Sequence, residues 1–201
     1  MEEQQPGRFL ALGDSYTIGE SVPAVAAWPR QLADRLRREG VVLEPTIVAT
    51  TAWTSSELVD AFDAAPPTGV FSLVSLQIGV NDQFRGLPLS ELSSNVGQLL
   101  ERVRKLRGGA PGGIFMVSIP DWGVTPFAAG HDQVAIAADI DRFNTALANL
   151  AAGSGIPFVD VTAASRCEAA ALAVDGLHPA AEQYRHWVDL ILPVAAALLA
   201  P

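Results

Sequence analysis

Apolar positions along this chain follow two distinct rhythms. Five short, near-continuous runs rich in β-branched or aromatic residues occur at Arg8 to Leu12, Val41 to Ala49, Val70 to Ile78, Ile114 to Ile119 and Ile156 to Val161. Runs of this length and continuity read as strands buried on both faces. Between them the spacing becomes helical. Leu89, Leu92, Val96, Leu99, Leu100, Val103 and Leu106 form one stripe, with Gly108-Gly109 as its stop, and Val134, Ala137, Ile140, Phe143, Leu147 and Leu150 form another closed by Gly153. Pro29 suits a first helical turn before an amphipathic Gln31 to Glu39, which Gly40 ends. Thr54-Ser55-Ser56-Glu57 has the spacing of a capping box and predicts a helix starting near residue 54. Pro179 to Leu199 reads as a last helix, kinked at Pro193. Strands alternating with helices predict a parallel sheet covered on both faces and joined by right-handed crossovers, an α/β/α sandwich of three layers.

Composition narrows the class. The chain has 201 residues, 49% of them hydrophobic and 17% charged, which suits one globular domain spanning 1–201 rather than a disordered segment. Thirteen basic against 22 acidic side chains give a formal charge of -9, so phosphate backbones are repelled and nucleic acid is not expected as a partner. Cys167 is the single cysteine and cannot form an internal disulfide. Three histidines and one cysteine without close spacing argue against a metal site. Met1 to Gly7 carries two glutamates and no basic cluster, and the apolar stretch 187–200 is interrupted by Asp189 and Pro193. These features predict a soluble, cytoplasmic chain without an integral membrane segment.

The polar motifs fall just beyond strand ends. Gly13-Asp14-Ser15 follows the first run, Ala52 the second, Gly79-Val80-Asn81-Asp82 the third and Asp175-Gly176-Leu177-His178 the fifth. In open parallel sheets ligands bind beyond the carboxyl ends of strands, so these distant segments are expected to converge. A serine hydroxyl needs a neighbouring imidazole to accept its proton, and a growing oxyanion needs donors. Ser15, His178 and Asn81 have the side chains for those roles. Each segment taken singly also has a structural use: Asp14 or Ser15 as a helix cap, Asn81 in an Asx-turn, Asp175-Gly176 as a plain turn. Convergence at one edge of the sheet favours the catalytic use.

The blocks Leu12 to Ser15, Gly79 to Asp82 and Asp175 to Pro179 resemble those of the SGNH hydrolases, the GDSL-type esterases and lipases. The resemblance implies a flavodoxin-like fold with a five-stranded, mostly parallel sheet. It also implies Ser15 as nucleophile, His178 as base, Asp175 as the acid that orients the base, and an oxyanion hole drawn from Ser15, Ala52 and Asn81. Ile119 to Pro126 is similar to a loop of bacterial members. One position departs. Where relatives of this type carry Thr-Gly-Trp-Thr, this chain reads Thr51-Ala52-Trp53-Thr54. A positive φ at Ala52 would strain the turn by roughly 1 kcal/mol.

The expected function is hydrolysis of short-chain or acetyl carboxylic esters through an acyl-enzyme, without a cofactor. An acyltransferase with the same site and a silent small-molecule binding domain are the alternatives, and the oligomeric state is open. Asp14, Trp53 and Trp122 are candidate substrate contacts, and Phe84 and Phe127 lie in neighbouring loops. His131 and His186 compete with His178 as base and Cys167 with Ser15 as nucleophile, but none sits in a strand-end loop beside a suitable partner.

Overall fold

Strand β1 (Gly7–Gly13) is the axis of the molecule. In a computed structural model, which describes residues 6–107, 113–167 and 171–200, it is paired on one side with β2 (Leu43–Ala49) and on the other with β3 (Leu73–Gln77). β4 (Ile114–Val117) and β5 (Phe158–Val159) extend the sheet in the order β2-β1-β3-β4-β5. All four pairings are parallel, so the mostly parallel sheet expected from sequence is parallel throughout. Strand order reverses between β1 and β3, and the cleft beyond that reversal is where ligands collect in open sheets.

Helices cover both faces. In chain order they are α1 (Ser15–Ile18), α2 (Trp28–Arg38), α3 (Ser55–Ala64), α4 (Val80–Phe84), α5 (Leu89–Leu106), α6 (Gln133–Gly153), α7 (Thr162–Cys167) and α8 (Ala181–Leu199). α2 packs on α8 to form one layer, while α3, α5 and α6 pack side by side in the other. Residues of β3 are buried without exception, as a central strand between two helical layers requires. Phe9, Leu10, Phe71, Phe115, Phe143 and Trp187 are among the large side chains wholly withdrawn from water. The Trp28 indole is satisfied in the core by Gln77, whose Oε1 accepts from Nε1 at 3.0 Å.

Local signals were obeyed closely at several ends. Thr54 caps α3 in a complete capping box, and Pro29 lies in the first turn of α2. Gly40 (φ 89°) follows α2 and donates to the Arg37 carbonyl. Two ends moved. α8 begins at Ala181 because Pro179 bridges Leu172 in a short antiparallel contact, and the helix continues as one element through Pro193. The expected stop at Gly108-Gly109 lies outside the described residues. No described helix is long and apolar enough to cross a membrane.

Candidate active site

The four polar segments meet at the carboxyl edge of the sheet. β1 delivers Ser15 through Gly13 and Asp14. A Cβ at Gly13 would collide with the Thr17 side chain and stand 2.5 Å from the Gln77 carbonyl, so only glycine lets β1 turn so tightly into α1. Asp14 caps α1, its Oδ1 accepting from the Tyr16 N–H at 3.0 Å. After β3, Gly79 takes φ 123° and starts α4, placing Asn81 on the first turn. His178 arrives on a loop closed by the Ala173 N–H donating to the His178 carbonyl at 2.8 Å and by the Leu172–Pro179 bridge.

Ser15, Asn81 and His178 line one cavity of about 90 Å³, together with Tyr16, Val80, Phe84, Trp122, Phe127 and Leu177. A larger open groove of about 480 Å³ flanked by Arg30, Arg35, Arg37 and Arg38 contains none of these groups, and one of about 320 Å³ beside the small cavity shares Phe84 and Trp122 with it but not Ser15, Asn81 or His178. One wall of the small cavity is aromatic. Phe84 and Trp122 stand nearly edge to face at 5.3 Å, with Phe127 6.0 Å from each ring. The Trp122 indole donates to Gln83 Oε1 at 2.8 Å. Arg166 Nε, 2.8 Å from Asp121 Oδ2, braces the turn that carries the tryptophan.

Asp175 is the most heavily bonded group of the site. Its Oδ1 accepts from the Leu177 and His178 N–H groups, each at 3.0 Å, and its Oδ2 lies 2.6 Å from His178 Nδ1 and 2.6 Å from Ser21 Oγ. Burial alone would raise this carboxyl, but the hydrogen bonds from Ser21, His178 and the two backbone N–H groups hold it well below the usual carboxylate range. An ionised carboxylate can only accept, so Nδ1 carries a hydrogen, and in the neutral ring Nε2 is the nitrogen with the lone pair. The His178 ring leans on Tyr16 at 5.1 Å between centroids and is 6% exposed.

The segments expected to supply oxyanion donors contain a strained element. Ala52 sits at φ 67°, in the left-handed region where a Cβ is unfavourable. Its carbonyl accepts from Arg85 Nη2 at 2.7 Å. The next carbonyl, of Trp53, accepts from Asn81 Nδ2 at 3.0 Å. That bond uses one of the two amide hydrogens of Asn81 and fixes the plane in which the other points.

Other expected residues take different places. Asp14 is fully buried, and neither it nor the half-buried Trp53 is among the residues lining the cavity. Burial, with Asp82 adding to it, pushes the Asp14 carboxyl from 3.8 up to about 7. Asp82 is also raised by burial, against the pull of its bonds from the Ser55 N–H (2.9 Å) and Oγ (2.5 Å). His131 packs edge-on against Trp122, His186 lies on α8, and Cys167 is exposed at the end of α7. Sequence reasoning missed Ser21, Gln83 and Arg85. Ser21 and Arg85 are ordinary surface types, and Gln83 differs from them only in belonging to the Asn81 turn.

Known proteins resemble this chain in sequence and in fold. A sequence profile of the GDSL-like lipase/acylhydrolase family matches residues 11–186. The chain belongs to that family. It is thus an ester-hydrolysing enzyme. An arylesterase of Vibrio mimicus is 26% identical over 145 residues, 65% of this chain and 70% of the relative. Among solved structures the enzyme is similar to TesA, with a TM-score of 0.75 at 21% identity, covering 96% of this chain and 99% of the other. It is also similar to the psychrotrophic esterase EstA from Pseudoalteromonas sp., with a TM-score of 0.74 at 16% identity over 96% and 98% of the two chains.

Proposed function

We propose that the enzyme cleaves esters of short acyl groups with aromatic or other apolar alcohols, through a covalent intermediate on Ser15. The observation that carries this reading is the 2.6 Å contact between Asp175 Oδ2 and His178 Nδ1, on a histidine that shares its cavity with Ser15. His178 Nε2 takes the hydroxyl proton as Ser15 Oγ bonds to the carbonyl carbon, and the carbonyl π electrons move onto oxygen. The Ser15 and Ala52 N–H groups and the free amide hydrogen of Asn81 stabilise that oxyanion. On collapse the ester C–O bond breaks and the imidazolium passes its proton to the departing alcohol. Water then repeats the sequence on the acyl-enzyme, releasing the acid and restoring Ser15. Asp175 stabilises the imidazolium in both halves.

Cavity size and lining support the substrate class. A volume of about 90 Å³ holds roughly three water-sized groups, which suits an acetyl to butyryl chain. The Phe84, Trp122 and Phe127 rings offer an aryl or alkyl leaving group edge and face contacts. The name of the Vibrio mimicus relative, an arylesterase, agrees with that choice.

A fluorophosphonate probe followed by intact-mass measurement tests the nucleophile. Wild type is expected to gain one adduct and Ser15→Ala none. Equal labelling of both, or no labelling of wild type beside measurable turnover of p-nitrophenyl acetate, would overturn it.

A further inference from the structure

The turn after α1 contains an exposed serine in a costly conformation. Ser21 adopts φ 63°, one of two non-glycine residues in the left-handed region among those described, the other being Ala52. Glycine takes this conformation without penalty, whereas a residue with a Cβ is strained there. Such a residue in an exposed turn points to work done by its side chain. The side chain reaches across 154 residues of sequence to a single partner atom: Ser21 Oγ donates to Asp175 Oδ2 at 2.6 Å. That oxygen is the one His178 Nδ1 contacts.

The neighbouring residue reaches the other side of the cleft. Glu20 Oε2 accepts from Thr51 Oγ1, immediately before Ala52. Two consecutive residues of one turn therefore hold the loop of the orienting acid and the loop of the strained oxyanion donor. The turn is itself anchored to the nucleophile, because the Gly19 and Glu20 N–H groups both donate to the Ser15 carbonyl, at 3.1 and 3.0 Å.

We infer that Ser21 is a positioning residue for the esterase reaction: its hydroxyl fixes the Asp175 carboxylate in the plane that aims His178 at Ser15. This rests on the triad reading above. Asp175 Oδ1 is held by two backbone N–H groups, and Ser21 Oγ anchors the second oxygen, Oδ2, so the carboxylate plane is held through both of its oxygens. His178 alone cannot supply that constraint, since its ring is the group being aimed. The low affinity of this carboxyl for protons agrees with the hydroxyl bond, which stabilises the charged form.

Ser21→Gly separates this role from a merely structural one, because it removes the hydroxyl while relieving the backbone. It is expected to lower kcat on p-nitrophenyl acetate roughly 10- to 100-fold, leave KM within about twofold, and keep or raise the melting temperature. Ser21→Ala should show the same kcat loss with a lower melting temperature. In an Asp175→Ala background the further change Ser21→Gly should alter kcat by less than about twofold, since its target is gone. Wild-type kcat in Ser21→Gly, or an equal loss in both backgrounds, overturns the inference. Full activity in Asp175→Ala alone would instead overturn the triad, a result distinguishable from inert Ser21.

Discussion

Ala52 concentrates the tension between stability and catalysis at the level of single residues. A φ of 67° on an alanine costs about 1 kcal/mol relative to glycine, and two hydrogen bonds from α4 and its end, Arg85 to the Ala52 carbonyl and Asn81 to the Trp53 carbonyl, hold the loop in place. Ala52→Gly should therefore stabilise the enzyme by about 1 kcal/mol, seen as a midpoint shift in urea unfolding with unchanged slope. A lower midpoint would mean that the loop relaxes and the methyl group packs usefully. Asn81→Ala removes both the proposed oxyanion donor and the tie to the loop, and kcat should fall about 10² to 10³-fold; stopped-flow acylation rates measure that loss directly. The residues proposed for the chemistry were legible in the sequence. Ser15, Asp175 and His178 are unusual as a set, and strand ends are the places where such a set can meet. Ser21 and Arg85 were not legible, because their value lies in contacts across 154 and 33 positions that neither residue type nor spacing encodes.

Secondary-structure elements were readable where a period repeats and obscure where it does not. α5 and α6 complete several turns with one apolar stripe, so their extents were visible. α1, α4 and α7 have four to six residues, too few for any period to register, and two of them carry the site. Four of the five strands are shorter than their apolar runs; at β4 and β5 the surplus residues Ile119, Ile156 and Val161 are buried without joining the ladder. Burial writes the sequence pattern; hydrogen bonding decides the strand. The capping box of α3 matters beyond the helix, because Thr54 ends the segment that contains Ala52. Glu57 Oε2 accepts from the Thr54 N–H and Oγ1 at 2.8 and 2.9 Å, and Arg85 joins the same carboxylate at 3.4 Å. Thr54→Ala should cost about 1 kcal/mol, a fall in melting temperature of roughly 2–4 °C, and should lower kcat more than KM as the oxyanion loop loosens. A change in KM alone would place the loop outside the transition-state contacts.

Across the whole molecule, the charges beneath and around the cleft set an unusual dependence of stability on pH. Asp14 is protonated more readily in the folded state, its carboxyl rising from 3.8 to about 7 through burial and the nearby charge of Asp82. A carboxyl with a raised folded-state pKa contributes its full stability below the unfolded value and loses it as pH rises through the folded one. Asp82 is shifted the same way. The net charge of -9 adds self-repulsion in the same direction as more carboxyls ionise. Asp175 acts oppositely: its lowered pKa contributes stability that is complete above about pH 4 and disappears only in stronger acid. The raised carboxyls therefore make stability decline from about pH 4 to about pH 7. Asp14→Asn keeps an oxygen to accept from the Tyr16 N–H and cannot ionise. Melting temperatures measured from pH 4 to 8 should fall for wild type and fall less steeply for the variant, so that the two curves diverge between about pH 4 and pH 7 and run parallel above. Curves parallel throughout would show that Asp14 is not the group whose ionisation drives the decline, and would shift that role to Asp82 and the general surface charge.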